Sequence, residues 1–194
     1  KEYASLGYSS LFFRENEIYN NLPIVTSIIH NKLGKSTRVF ARKCTIVASK
    51  NGSWFATNHL MGAGQGRCYY LLLDNDIVAG IRVHWKDKSL GILDISRFCT
   101  KLGVSVVGGF SKLLSYVESV ENPQFISNFI DRRYGTGSYL SLLGFEEKST
   151  FPSFVWIYGN KVFHRMKFPG NTGYDHGYHK LWDCGQTKFV KEVN

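Results

Sequence analysis

The stretch Val104-Ser105-Val106-Val107-Gly108-Gly109-Phe110-Ser111-Lys112 runs from a short apolar segment through two glycines into a serine and a lysine. Glycines between a strand and a helix let something approach the backbone closely, either a ligand or a tightly packed neighbour. His59 stands in Asn58-His59-Leu60, where a core helix has little use for a histidine. Gly62, Gly64 and Gly66 after it predict an exposed, mobile loop, and the plainer role for His59 is a capping or loop hydrogen bond. Asp131 is followed by Arg132 and Arg133, so its plain expectation is an ion pair with one of them or a cap on the turn that follows. Basic and aromatic residues interleave at Arg132-Arg133-Tyr134 and again from Lys161 to Lys167, with His164 and Arg165 between. Arginines position phosphates and rings stack on unpaired bases, so both segments are candidates for contact with DNA. The second equally describes a half-exposed strand with a basic outer face. Tyr174-Asp175-His176-Gly177-Tyr178-His179 and Cys184 include metal-ligating types without a recognised spacing, which favours a solvated or edge-packed tail.

These residues belong to a chain of 194 residues, 43% hydrophobic and 15% aromatic, which can bury a full core in one domain with appendages. Disorder is excluded. A net charge of +9 favours polyanionic partners, though a basic enzyme of any kind would share it. Apolar runs fall short of the roughly 18 residues that span a membrane, and no leader peptide is evident, so a soluble, cytoplasmic protein without membrane contact is expected. Lys1 is not an initiator, which predicts that the chain begins partway into a longer protein. Cys44, Cys68, Cys99 and Cys184 form no Cys-x-x-Cys pair and are expected to be free, buried thiols.

The positioning elements alternate. A strand is predicted over 7–13, a helix over 22–34 capped by Gly34, a strand over 38–48, and a short helix before the glycine-rich loop. Two strands joined at Asp74-Asn75-Asp76 form a hairpin. A strand over 90–100 leads to the glycine pair and a helix ending before Pro123. A strand over 124–131, a short helix stopped by Gly144, and a hairpin over 153–168 complete the order. The expected divisions are an appendage over 1–37, a main domain over 38–168 and a tail over 169–194 packed on it.

This order resembles the GNAT acyltransferase fold, an α/β (α+β) architecture with a central mixed sheet flanked by helices, here with a short N-terminal strand-helix appendage. Tyr139-Leu140-Ser141-Leu142-Leu143-Gly144-Phe145 resembles that family's Tyr-x-x-x-Gly-Phe stretch, with one more residue before the glycine. The family's Arg/Gln-x-x-Gly-x-Gly/Ala spacing is not met. The resemblance implies that backbone amides of Val107 to Lys112 hold the pyrophosphate of an acyl-CoA, with Lys112 adding charge. It also implies that the glycine turn sits at the mouth of a V-shaped split between two central strands.

Taken together, Ala41-Arg42-Lys43-Cys44, Asn58-His59-Leu60-Met61-Gly62, residues 97–114, residues 131–145, His164-Arg165-Met166-Lys167-Phe168 and 181–189 are similar in order and spacing to a domain at the C-terminus of many phage homing endonucleases. The same motifs resemble the Mom family of phage proteins that modify adenine in DNA. Residues 5–34 resemble the end of the short-patch-repair-like nuclease domain that precedes this module. The Mom resemblance implies that His59, Tyr69 or Tyr70, Ser111 and Asp131 converge in one pocket. There they would act as a general base, a proton donor and an orienting carboxylate, or His59 and Asp131 would ligate a transition metal. Two functions follow as expectations: a transferase that modifies a DNA base, or a DNA-binding module that positions a nuclease.

Overall fold

The computed structural model describes residues 10–193. In chain order its elements are α1 (Glu15–Lys32), β1 (Thr37–Phe40), β2 (Thr45–Ser49), α2 (Ser53–Asn58), β3 (Arg67–Leu73), β4 (Asp76–Asp87), β5 (Ile92–Thr100), β6 (Val104–Val107) and α3 (Gly109–Glu121). They continue with β7 (Phe125–Asp131), a 3-10 turn (Ser138–Leu143), β8 (Glu146–Phe151), β9 (Phe154–Tyr158), β10 (Lys161–His164), β11 (His179–Trp182) and β12 (Gln186–Glu192). The expected α+β class, a central mixed sheet flanked by helices, is what the chain forms.

Seven strands make the central sheet in the order β2-β3-β4-β5-β7-β12-β8. The β3–β4 hairpin closes through Asp74 and Asn75, both at positive φ (49° and 68°), a conformation their short polar side chains tolerate. One face is covered by α3, whose Leu113, Leu114 and Val117 pack with Leu71, Ile81, Leu93 and Ile126 in the main core. A smaller cluster of Phe55, Cys68 and Tyr70 seats α2 on β3.

The neighbours β5 and β7 are parallel, and their pairing decides the architecture. They pair only from Ile92 against Phe125 to Ile95 against Asn128, yet β5 continues to Thr100 and β7 to Asp131. Beyond that point the sheet splits, as the expected V requires.

Four sequence readings change. The strand read over 38–48 is two strands in different sheets, β1 pairing in parallel with β6 and β2 forming an edge of the large sheet. A 3-10 turn at Ala41–Lys43 breaks it. Residues 7–9 of the strand read over 7–13 lie outside the described residues, and 10–13 form no strand; Phe12 N–H donates to Arg133 O, and the Phe13 ring packs on Tyr134. The helix read over 22–34 begins at Glu15 with a capping box in which Arg14 N–H donates to Glu17 Oε2 at 2.8 Å. It kinks at Asn21, two residues before Pro23, and Gly34 stands past its end at φ 68° as expected. Finally, β9 and β10 join β11 in a separate three-stranded sheet around the fully buried Trp156, while β12 lies inside the large sheet between β7 and β8. The segment read as a packed tail therefore completes both sheets.

The glycine pair has a packing cause as well as a conformational one. Gly108 is left-handed (φ 74°), and a Cβ on Gly109 would come within 3.1 Å of Val106 Cβ. Gly108→Ala is expected to lose about 1–2 kcal/mol from the left-handed backbone, read as an earlier midpoint in urea. An unchanged midpoint would mean that the turn relaxes freely.

Candidate functional site at the sheet split

The gap between β5 and β7 opens into a cavity of about 540 Å³, within the range of small-molecule sites. Arg97, Phe98, Asn128, Asp131, Tyr134 and His59 are among its lining residues, and α1 closes one side through Ile24, Ser27 and Ile28. Phe110, in the first turn of α3, also lines it, and its ring meets Phe98 edge-on at 4.9 Å and Tyr139 at 5.8 Å. The N-terminus of α3 therefore stands beside the cavity.

At that terminus Lys112 N–H bonds to Gly108 O, and the N–H groups of Gly109, Phe110 and Ser111 have no partner among the described residues. Ser111 Oγ turns back to Gly108 O at 3.0 Å. Lys112 does not add a free charge there: its Nζ donates to the carbonyls of Ala41 (2.9 Å) and Cys44 (2.6 Å). The sequence expectation for Lys112 is corrected accordingly. It pins the 41–44 turn against α3 and so presents Arg42 and Lys43, both exposed, beside the glycines. Val107, the last residue of β6, pairs with Phe40. Open amides at the positive end of a 13-residue helix with two adjacent cations fit a phosphate group.

His59 ends α2 and lies at the cavity wall. Its Nδ1 accepts from Met61 N–H at 3.1 Å, which leaves the proton of the neutral ring on Nε2. Burial first, and the Arg97 guanidinium second, push its pKa down to about 4. At neutral pH it is a hydrogen-bond donor rather than a poised base. The loop that follows is held, not mobile: Arg97 donates to the carbonyls of Met61 and Gly62 (both 3.1 Å), Arg82 to those of Ala63 (2.7 Å) and Gly66 (3.1 Å), and Ser96 to that of Gln65 (3.0 Å). Because protonation of half-buried His59 beside Arg97 is disfavoured, the unfolded chain binds more protons between pH 6.5 and about 4, and stability falls as pH drops through that window. His59→Asn should flatten this part of the Tm-against-pH curve; an unaltered slope would place His59 in water.

Asp131 shares the cavity with His59, but both its oxygens accept from Arg133, at 2.7–3.1 Å. The other end of Arg133 donates to Glu17 of α1 at 2.8 and 2.9 Å. Arg14 bridges Glu17 to Asp183 near the start of the last loop. Arg133 is only 5% exposed. The expectation that it grips DNA phosphate is therefore corrected: it is the centre of an internal ion network. Tyr134 is likewise no free stacking platform, its ring lying between Phe13 and the Arg133 guanidinium. Its hydroxyl is buried without a hydrogen-bond partner, and burial pushes its pKa well up, so it stays neutral and protonated. Arg132 remains exposed.

The tyrosines read from the sequence are elsewhere. Tyr69 is in the core with its hydroxyl on Glu121, and burial, then that bond, push its pKa up to about 12. Tyr70 donates to Asn51 O at 2.7 Å in the cluster under α2. Neither lines the cavity, nor does Ser111. Among the described residues no group of three or more His, Cys, Asp or Glu could hold a metal, and both oxygens of Asp131 are engaged by Arg133. The metal alternative for His59 and Asp131 is corrected on that ground.

Two lining residues had no sequence signal, Asn128 in β7 and Arg97 in β5. Each sits in a strand that reads as plain core, and only the splay of the sheet turns them towards a common space.

Part of the charge here is paired internally. Asp131 and Arg133 neutralise one another, and the Arg97 guanidinium is engaged by carbonyls. The rest of the lining includes the exposed Lys32, the neutral polar groups of His59, Asn128 and Tyr134, and the rings of Phe98, Phe110 and Tyr139.

No protein-family model and no curated protein sequence matches the chain. Solved structures similar to it include a GNAT family acetyltransferase from Elizabethkingia anophelis with acetyl-CoA bound, 14% identical with a TM-score of 0.48, the match covering 78% of this chain and 99% of that one. An acetyltransferase from Bacillus subtilis in complex with CoA is 11% identical, TM-score 0.48, over 78% of this chain and 100% of that one. The N-acetylglutamate synthase of Neisseria gonorrhoeae, complexed with coenzyme A and N-acetyl-glutamate, is 12% identical, TM-score 0.42, over 90% of this chain but 33% of that one. At such values the likeness is distant, and the splay of this chain's own strands has to carry the functional reading. No helix among the described residues is long and apolar enough to cross a membrane.

Proposed function

We propose that the chain is a GNAT-like transferase that takes an acyl-CoA at the α3 terminus and modifies a base of DNA held in the split. The observation that carries the reading is the cavity itself, of about 540 Å³, whose one lining carboxylate, Asp131, is held by Arg133. A cationic amine would find no free carboxylate there, both oxygens of Asp131 being engaged by Arg133. An uncharged, planar ring with hydrogen-bonding edges finds the amide of Asn128 and flanking aromatic rings, and a base would enter by leaving its duplex stack.

The donor, when bound, supplies an activated thioester carbon. The amides of Gly109, Phe110 and Ser111, with Arg42 and Lys43, would hold its phosphates. Tyr134, protonated and water-excluded, would supply a proton to the leaving thiolate and take one back from the acceptor nitrogen. His59 would donate from Nε2 to the oxygen on which negative charge develops. The sequence resemblance to the Mom family favours this choice of acceptor, and the exposed Arg132, next to Asp131, is a cation for a phosphate.

A second reading, a DNA-positioning module without transferase activity, is favoured by one observation: Phe98, Phe110 and Tyr139 meet edge to face at the end of the cavity nearest the glycines. A thermal-shift titration with acetyl-CoA separates the two. A ligand at a hundredfold excess over Kd adds about 2.7 kcal/mol, so Tm should rise, and Gly109→Ala should blunt the rise. No shift at millimolar donor would leave only the positioning module.

A further inference from the structure

The three-stranded sheet β10-β9-β11 and the segment that wraps it carry features that neither the core nor the cavity uses. Between Ser153 and Trp182 there are four Lys or Arg residues (Lys161, Arg165, Lys167, Lys180) and one acid, Asp175. Among the described residues none of these cations is ion-paired, whereas Arg14, Arg67, Lys101, Arg133, Lys148 and Lys191 all are. Three of them stand on rings, Arg165, Lys167 and Lys180, while Lys167 also donates to Tyr178 Oη and Lys180 to Asn171 Oδ1; Lys161 is exposed. Lys180 Nζ lies 4.5 Å from the Phe154 ring centre, 5.1 Å from Trp156 and 5.7 Å from Trp182, and Lys167 Nζ lies 3.5 Å from Phe163 and 4.8 Å from Tyr178.

Strand register puts Phe154, Trp156 and Tyr158 of β9 on the same face as Lys180 and Trp182 of β11 and Lys161 of β10. Trp156 is the buried centre of that face, but Trp182 is 55% exposed and Tyr158 54%. Phe168, Gly173 and Tyr174 cover Trp156, so the face offers its two ends, where Trp182 stands half in water near Lys180 and Tyr158 near Lys161, an arrangement suited to a ligand that is both flat and anionic. A chain of contacts links the end of β10 to the cavity: Arg165 lies over the Phe151 ring at 5.7 Å, Phe151 is 6.1 Å from Phe129, and Phe129 lines the split.

We propose that this face is a docking platform for a single strand of nucleic acid, with unpaired bases stacking on Trp182 and Tyr158 and the backbone following Lys180, Lys161 and Arg165. Stacking on exposed rings is open to bases only when they are unpaired, so single strands bind more tightly than duplex. The platform rests on the reading of the cavity as a base site only for its purpose, which is to deliver a strand to the split; the binding itself is independent of it.

The test is fluorescence anisotropy of a labelled oligothymidylate in the absence of any acyl donor. Trp182→Ala and Tyr158→Ala should each weaken binding by about tenfold, within the range alanine substitution gives for a stacked base. Lys161→Ala should lower the salt slope. Trp182→Phe should keep affinity while removing most of the quenching of intrinsic fluorescence on binding. Because no donor is present, a failure of docking is read apart from a failure of transfer. Oligonucleotide binding that is absent, or unchanged in both ring variants with folding intact, overturns the proposal. A polyglutamate peptide that binds as tightly and loses as much in Trp182→Ala would reassign the face to an acidic protein partner.

Discussion

Arg133→Ala is expected to cost about 3–5 kcal/mol of folding stability, the loss typical when one partner of a buried ion network is removed. The reason lies in what it leaves behind. Glu17, 8% exposed, and Asp131 would face each other without the guanidinium that bonds both. The effect spreads because the network joins three distant parts of the chain: α1 through Glu17, the end of β7 through Asp131, and the loop before β12 through Arg14 and Asp183. Arg132→Ala, one residue away on an exposed side chain, should stay within about 0.5 kcal/mol. Urea unfolding of the two variants checks this, and a double-mutant cycle with Glu17→Ala should show strong coupling. Equal stabilities for the two arginine variants would contradict the network.

Tyr134→Phe should move stability and activity in opposite directions. Removing a buried hydroxyl that has no partner relieves a desolvation cost of about 1–3 kcal/mol, so the variant should unfold at higher temperature than the parent. If that hydroxyl is the proton donor to the leaving group, transfer should fall by about 10²–10⁴-fold. A variant that is less stable would mean the hydroxyl is hydrogen-bonded; one that is more stable and fully active would remove Tyr134 from the chemistry. Both outcomes are read from one preparation, by thermal unfolding and by turnover.

What the sequence made legible follows from where local rules govern. The β3–β4 turn was visible because Asp74-Asn75 is a local signal, and the strand-glycine-helix order around Gly108 because glycine punctuates it. The ends of the sheet were not visible. β8 is Glu-Glu-Lys-Ser-Thr-Phe, exposed along most of its length, and has no apolar alternation to mark it. β12 was hidden in a tail because its place between β7 and β8 is a long-range choice that nothing near Gln186 announces. The site shows the same division. His59 and Asp131 were legible as polar residues at element ends, and they do share the cavity. Tyr69 and Tyr70 misled because tyrosine in a strand is as often core as chemistry, and here one is tied to Glu121 and the other to Asn51. Arg133 read as a phosphate contact because its partner Glu17 is 116 residues away, a separation across which charge pairing cannot be read from sequence.

The most direct test of the central claim is transfer itself: the purified chain is incubated with radiolabelled acetyl-CoA and a single-stranded oligonucleotide containing all four bases, and the DNA is digested to nucleosides for chromatography. The account predicts label on one nucleoside, dependent on Tyr134 and His59 and retained in Arg132→Ala at saturating DNA. Label that never reaches DNA, from a protein that binds both acetyl-CoA and the oligonucleotide, would contradict it.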